Sequence, residues 1–409
     1  MLNSPNFSVH LRLSAMMFFQ YFMFAVWWIP LAAYLANMGL TRNLTALILS
    51  SMAFGSLVSP MVGMLADRYF RGQYVLAVSN TVVAVMLLFA GGTSNPITLF
   101  VFLCVAMLFY MPTWALTSAI TMANIPSDLF ARVRVFGTIG WILAGVFSAV
   151  SVGWFNHDFD GTNLPFYVGA ALSLLAALVN LTLPDTPPKA KGQKATLLDI
   201  MGFRSIVMMK DRNFAIFLVL FFLSMIPFSM YWSYFSEYLF SSGYRLITVT
   251  MSTGQVLELF ILLTVPYFIK RFGLRNTIIV GMIALVVRYV SLYLAGSDAT
   301  LVFVLIGAGV HGLIFGYQHL GSQIYTDKKA PPYLQSQAQG LIFFVTFALG
   351  LFAGNFVCGW IIRLNSVETL TGTTYQWAHI WGITALMSLV ILIAFMVLFR
   401  QENYQPIKN

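Results

Sequence analysis

Residues Met251–Lys270, MSTGQVLELFILLTVPYFIK, decide how this chain is read. About 20 residues of helix cover the ~30 Å hydrocarbon core of a bilayer, so the stretch predicts a membrane span. One carboxylate, Glu258, falls near its middle. A charge there costs roughly 2.5–3.5 kcal/mol on insertion scales, and a span keeps one only where it is paired, protonated or facing water. Gln255 lies one turn before Glu258 and Ser252 one turn earlier, so a polar stripe runs down one helical face. Such a stripe predicts a site and not a lipid-facing surface.

Outward from this stretch the chain keeps the same character. Of its 409 residues, 59% are hydrophobic and 9% are charged, which excludes a soluble domain. Long apolar runs predict an all-α polytopic membrane protein with twelve spans, at roughly 12–36, 43–66, 73–91, 96–118, 133–154, 164–183, 213–240, 248–270, 274–294, 299–322, 335–362 and 376–400. The first run, Leu13–Leu35, is too long for the apolar part of a cleavable signal peptide. Cys104 and Cys358 both fall in apolar segments, so neither a structural disulfide nor a metal cluster is expected, and no cofactor is implied.

The formal net charge of +9 does not point to nucleic acid. Basic residues gather in alternate loops: Arg68 and Arg71, Arg132, the 184–212 segment, Lys270 with Arg271 and Arg275, and Lys328 with Lys329. The opposite loops are nearly uncharged or acidic, as at Asp158 and Asp160. The positive-inside rule then places both termini in the cytoplasm of a bacterial inner membrane. Residues 184–212, which include PDTPPKAKGQK, divide the spans six and six. They are expected to form a solvated cytoplasmic linker, with an amphipathic piece at Thr196–Met208, between halves 1–183 and 213–409. That plan matches secondary transporters, which bind substrate near the midplane of the membrane. Twelve spans in lipid suffice for a monomer.

Within the spans, a few polar groups stand out. Glu258 is the only acidic residue well inside one. It reads either as a protonated structural carboxyl or as a coupling carboxylate. Arg134, Thr138 and Trp141 share one face of span five, and Arg134 reads either as a ligand group or as an anchor snorkelling to the cytoplasm beside Arg132. Span ten carries His311, Phe315, Gln318, His319 and Ser322, a stripe that predicts a wet cavity. Pro227 is expected to interrupt span seven, with Ser229, Trp232, Ser233 and Ser236 following on a face. Gln20 in span one reads equally as interhelical glue or as a ligand group. Arg288 in span nine reads as an anchor to the outer headgroups.

Two motifs carry a resemblance. Gly63-Met64-Leu65-Ala66-Asp67-Arg68, after span two, resembles the G-x-x-x-D-R/K signature of the major facilitator superfamily. The glycine is expected to allow close helix approach, and Asp67, followed by Arg68, to cap or pair across the half and so lock one face of the cycle; the rival reading is a charge cluster at the membrane edge. Arg134-Val-Phe-Gly137-Thr138-Ile-Gly140 with Gln255-Val-Leu-Glu258 resembles the nucleoside:proton symporters of that superfamily. Further matches lie at Gln20 with Ala33-Tyr34-Leu35, Tyr110-Met111-Pro112-Thr113, Tyr167-Val168-Gly169-Ala170-Ala171 and Ala338-Gln339-Gly340. The resemblance implies a major facilitator fold and proton-coupled import of nucleosides. It implies that Arg134, Thr138 and Gln255 contact ligand polar groups, and that Glu258 binds ribose hydroxyls or couples the proton. Trp141 and Phe315 would wall the base, on whose π faces aromatic rings stack. The family pattern has amides on span seven where Ser229 and Trp232 stand, and an acid after the span-ten aromatic where Gly316 stands. Trp232, Tyr317, Gln318 or His319 could supply the missing groups, and the alternative substrate is a sugar or other glycoside.

The mechanism expected from these residues is alternating access, with Glu258 protonated before substrate binds and deprotonated after release. No phosphate-cradling G-x-x-x-x-G-K-[ST] loop is present, so direct use of ATP is disfavoured. A facilitator with the same fold would need no coupling acid. An enzyme would need a reactive cluster, and the five histidines are scattered.

Overall fold

The computed structural model describes residues 5–126, 129–188, 203–331, 334–369 and 372–400. Twelve helical stretches in it are long and apolar enough to cross a membrane: Phe7–Asn37, Arg42–Ala66, Gly72–Gly91, Pro96–Asn124, Arg132–Phe155, Leu164–Leu181, Arg212–Ser241, Ile247–Phe272, Leu274–Ala295, Leu301–Lys329, Gln337–Leu364 and Trp377–Leu398. These are spans one to twelve, and the fold class expected from hydropathy holds.

The chain forms two compact units. The first comprises Met1–Leu40, Leu47–Ala195 and Tyr244–Val249, and the second comprises Thr41–Ala46, Thr196–Gly243 and Thr250–Asn409. Within the first, span three holds the end of span six. Gln73 donates to Asp185 at 2.8 Å and accepts from the Thr186 N–H, and Arg71 pairs with Asp185 at 3.2 Å. Within the second, the equivalent helices meet in the same way with different chemistry. Arg275, at the start of span nine, donates to the carbonyls of Met396 and Phe399 at the end of span twelve. These carbonyls are among the last of a helix, so they lack intrahelical partners and the guanidinium supplies them. A core of Phe214, Phe217, Phe221, Tyr325, Phe395 and Phe399 packs beside this junction.

Span seven departs from expectation. It runs unbroken from Arg212 to Ser241, with Pro227 inside it. Proline removes one N–H, so the Leu223 carbonyl four residues earlier loses its helical donor, and the ring crowds that turn, but the helix continues and neighbouring spans bond to its backbone beside the proline. The Tyr289 hydroxyl donates to the Pro227 carbonyl and the Cys358 thiol to that of Ile226. The irregular backbone sits elsewhere, in π-helical turns at Ile314–His319 of span ten and Phe344–Gly350 of span eleven. Such turns are rare and concentrate at functional sites.

Two smaller elements complete the described chain. Of the expected amphipathic piece, Thr196–Gly202 lies outside the described residues, and Phe203–Lys210 forms a 3-10 helix. Between spans eleven and twelve, strand β1 (Ser366–Thr369) pairs antiparallel with β2 (Gly372–Tyr375), Ser366 opposite Tyr375. The all-α reading did not anticipate this hairpin.

Candidate functional site

Each unit carries its own set of the singled-out residues. In the second, spans eight and ten approach at two glycines. A Cβ added to Gly312 would stand 2.6 Å from Glu258 Cα, and one added to Gly254 would stand 2.8 Å from His311 Cβ. Only glycine permits that approach, and it brings the polar face of span eight onto His311. Glu258 and Gln255 are 6% and 8% exposed. The Glu258 Oε2 atom lies 3.8 Å from His311 Nε2.

Behind His311 lies Arg288, which is fully buried. Its NH2 lies 3.1 Å from His311 Nδ1, and its Nε donates to the Gly307 carbonyl at 2.9 Å. The guanidinium carbon stands 3.7 Å from the centre of the Tyr231 ring. The expectation of a headgroup anchor therefore fails. Span nine continues seven residues beyond Arg288 to Ala295, about 10 Å of helix, which is too far for the side chain to reach the interface in that direction. The guanidinium instead takes a carbonyl, an imidazole and an aromatic face as its solvation.

Aromatic contacts continue along span ten. Trp232 stacks on His311 with 6.3 Å between ring centres, and Phe315 stands 5.8 Å from His311 and 5.6 Å from His319. Phe228 lies 4.6 Å from His319. Gln318 points away from this set and donates to Ser224 at 3.0 Å. Buried polar atoms here with no hydrogen-bond partner among the described residues include the acceptors Gln255 Oε1 and Gln318 Oε1, with His319 Nε2, the Tyr231 hydroxyl and Arg288 NH1. An unmet buried acceptor costs about 1–3 kcal/mol, so such atoms are where a polar ligand or water gains most. Ser229 has no donor left for a ligand, because its hydroxyl proton goes to the Met225 carbonyl of its own helix.

In the first unit, span five presents Arg134, Thr138 and Trp141. Arg134 is partly exposed and its guanidinium carbon sits 4.2 Å from the Tyr21 ring centre. Trp141 meets Phe24 edge-on at 5.6 Å, and Tyr21 stacks with Trp114 at 6.1 Å. Thr138 is buried on the same helical face. Gln20 is fully engaged elsewhere. It donates to Thr113 at 2.6 Å and to Asn80 at 3.3 Å, and accepts from Asn80 at 2.9 Å, tying spans one, three and four. Its amide has the interhelical role.

The signature after span two lies on the helix Ser51–Arg68. Arg68 falls in its last turn, where a cation meets the negative end of the helix dipole. The surroundings of Gly63 and the side chain of Asp67 lie outside what the structure describes. Sequence reasoning missed Tyr21, Trp114 and Tyr231, which carry no mark against an apolar background. It also passed over a second buried acid, Glu237, near the end of span seven, whose flanking Ser236 and Tyr238 are a visible polar signal.

Comparison with known proteins bears on what these groups serve. A family model described as nucleoside H+ symporter matches residues 7–404. The putative nucleoside transporter YegT of Escherichia coli is 32% identical over 402 residues, covering 96% of this chain and 94% of that protein. The xanthosine permease of the same organism is 26% identical, with 98% of each chain covered. The crystal structure of the nucleoside transporter NupG superposes with a TM-score of 0.82 at 24% identity, covering 96% of this chain and all of that one. The chain belongs to the nucleoside H+ symporter family, as a multi-pass transporter that imports nucleosides with protons and not an enzyme.

Proposed function

We propose that Glu258 is the group through which proton and nucleoside are coupled. The observation that carries this reading is its position: a buried carboxylate on the polar face of span eight, facing His311 and one turn from Gln255. A carboxyl group in so dry a setting gains from holding a proton, and loses it once a donor or cation stabilises the ionised form. Gln255, Phe315, Arg134, Thr138 and Trp141 are assigned to the nucleoside. An amide, a hydroxyl and a guanidinium match base and ribose oxygens, and the aromatic rings match the base faces. His319 joins them through its unpartnered Nε2. Trp232 supports the ring of His311, and Gln318 serves packing toward Ser224. The halves 1–183 and 213–409 alternate access as a monomer in a bacterial inner membrane. The linker 184–212 and both termini lie in the cytoplasm, a placement supported by the basic loops.

The test is uptake into proteoliposomes with and without an imposed pH gradient. Wild-type protein accumulates nucleoside against its gradient. Glu258→Gln exchanges nucleoside across the membrane but does not concentrate it. Retained accumulation by that variant ends the assignment. A second reading, transport of another glycoside, is favoured by one observation: Ser229 and Trp232 stand where the family places amides, and Ser229 has no hydroxyl proton to spare. A thermal-shift screen of nucleosides, bases and simple sugars separates the two, because ligands that bind the folded state raise its apparent stability.

A further inference from the structure

We propose that Arg288 is a positioning residue for proton coupling: it fixes the tautomer of His311, and through that ring it sets the pH at which Glu258 releases its proton. The inference rests on the reading of Glu258 as the coupling carboxylate and names a residue that the coupling step has not yet included.

The geometry leaves little choice of proton placement. A guanidinium has five donor hydrogens and no acceptor. With Arg288 NH2 at 3.1 Å, His311 Nδ1 must accept, so the ring proton resides on Nε2. That nitrogen is the one facing Glu258 Oε2, at 3.8 Å. The imidazole therefore presents an N–H toward the carboxylate and has no free nitrogen with which to take the transported proton. Protonating Nδ1 would require breaking its bond to Arg288 and placing two cations side by side.

Arg288 is itself held so that this bond is oriented. Its Nε is on the Gly307 carbonyl and its face lies over the Tyr231 ring, which in turn stacks on His311 with 5.8 Å between centres. The titratable and charged groups that face His311 are Glu258 from span eight, Arg288 from span nine, Tyr231 from span seven and His319 from its own helix, while Tyr289 of span nine lies against Arg288. Among these, Arg288 alone is a permanent cation. Its charge, relayed by the polarised ring, favours the ionised form of Glu258. The binding step thus loads a proton on Glu258, and the Arg288–His311 pair supplies the pull that lets it leave.

The experiment measures nucleoside-driven proton uptake and nucleoside exchange in proteoliposomes from pH 5 to 9. It compares the wild type with Arg288→Gln, Arg288→Lys, His311→Phe, His311→Gln and Glu258→Gln. Arg288→Gln and His311→Phe are expected to move the alkaline midpoint of coupled uptake upward by about one pH unit, because the ionised carboxylate has lost its support. Arg288→Lys keeps the cation and is expected to recover most of that shift. His311→Gln, whose amide accepts from Arg288 and donates toward Glu258, is expected to keep the wild-type midpoint. A midpoint unmoved in both Arg288→Gln and His311→Phe, with only a lower maximal rate, overturns the proposal and leaves Arg288 a packing residue. Loss of coupling in His311→Gln with exchange retained also overturns it, by showing that the imidazole carries the proton. Should Arg288→Gln fail to fold, the two His311 variants still decide. Glu258→Gln tells the two readings apart: if it still accumulates substrate the coupling assignment falls, whereas if it loses accumulation and the midpoints do not move, only the role of Arg288 falls.

Discussion

Arg42 and Glu237 form an ion pair of 2.5 Å within the second unit, although 195 residues separate them. Arg42 also donates to the Tyr375 hydroxyl at 2.6 Å, so the β-hairpin completes the cluster. Glu237 is fully buried. Burial first, and the Glu237 charge second, push the Tyr375 hydroxyl up to about 12, so it stays protonated and neutral.

Removing Arg42 strands a buried carboxylate, which costs about 3–5 kcal/mol. By contrast, Arg245 pairs with Asp158 at 2.6 Å with both side chains about half exposed, and an exposed pair contributes about 0–1 kcal/mol. Arg42→Ala is therefore expected to lower the melting temperature in detergent by several degrees more than Arg245→Ala. Equal shifts in the two variants would contradict the buried-pair reading.

Asp160 links the loop after span five to the start of span eight. It accepts from Ser148 at 2.7 Å and from the backbone and hydroxyl of Thr248 at 2.9 and 2.6 Å. Burial is the largest influence on its carboxyl and raises it above the usual 3.8, against the opposing pull of those donors. For an acid with a raised folded pKa, stability is fully present below the unfolded value and is lost as pH rises through the folded one. Wild-type protein should thus gain melting temperature relative to Asp160→Asn as pH falls from 7 toward 4. A difference that stays flat across that range would show that the carboxyl does not titrate there.

Gln20→Leu should destabilise without changing substrate affinity. The substitution leaves Asn80 and Thr113 with unmet groups, a cost of roughly 1–3 kcal/mol moderated by the small net value of hydrogen bonds between spans. Thr138→Ala should do the reverse and weaken nucleoside affinity with little change in melting temperature. Binding and thermal curves on the same two proteins separate glue from ligand contact.

Gly312→Ala places a methyl group 2.6 Å from Glu258 Cα, where the obstacle is backbone and cannot rotate away. It should cut coupled uptake at least tenfold. Gly340→Ala, with open space around its Cβ, should leave uptake intact and add about 0.5–1 kcal/mol of helix stability. The pair of uptake rates checks both claims at once.

The twelve spans were legible because each is an apolar stretch that water would reject, and hydropathy records that directly. The polar residues were legible for the same reason: Glu258, Gln255 and Arg134 are conspicuous where little else is charged. What each one touches was not legible. Arg288 looked like an anchor because sequence shows a cation in the second half of a span and not the carbonyl, ring and imidazole that receive it. Pro227 looked like a break because the sequence cannot show that the helix Arg212–Ser241 continues through it, held by Tyr289 and Cys358 from neighbouring spans. Gln20 looked open because its partners, Asn80 and Thr113, lie 60 and 93 residues away.

The π-helical turn at Ile314–His319 has a consequence for how span ten moves. A wide turn carries one residue more than an ordinary helix needs, so absorbing it rotates everything beyond it by about 100° relative to what precedes. His311 lies before the turn and His319 closes it, so winding it tight would swing the second imidazole around the axis while the first stayed on Arg288. The span thus holds within its own backbone a single-residue swivel, positioned between the ring that faces the acid and the ring that lies against Phe228.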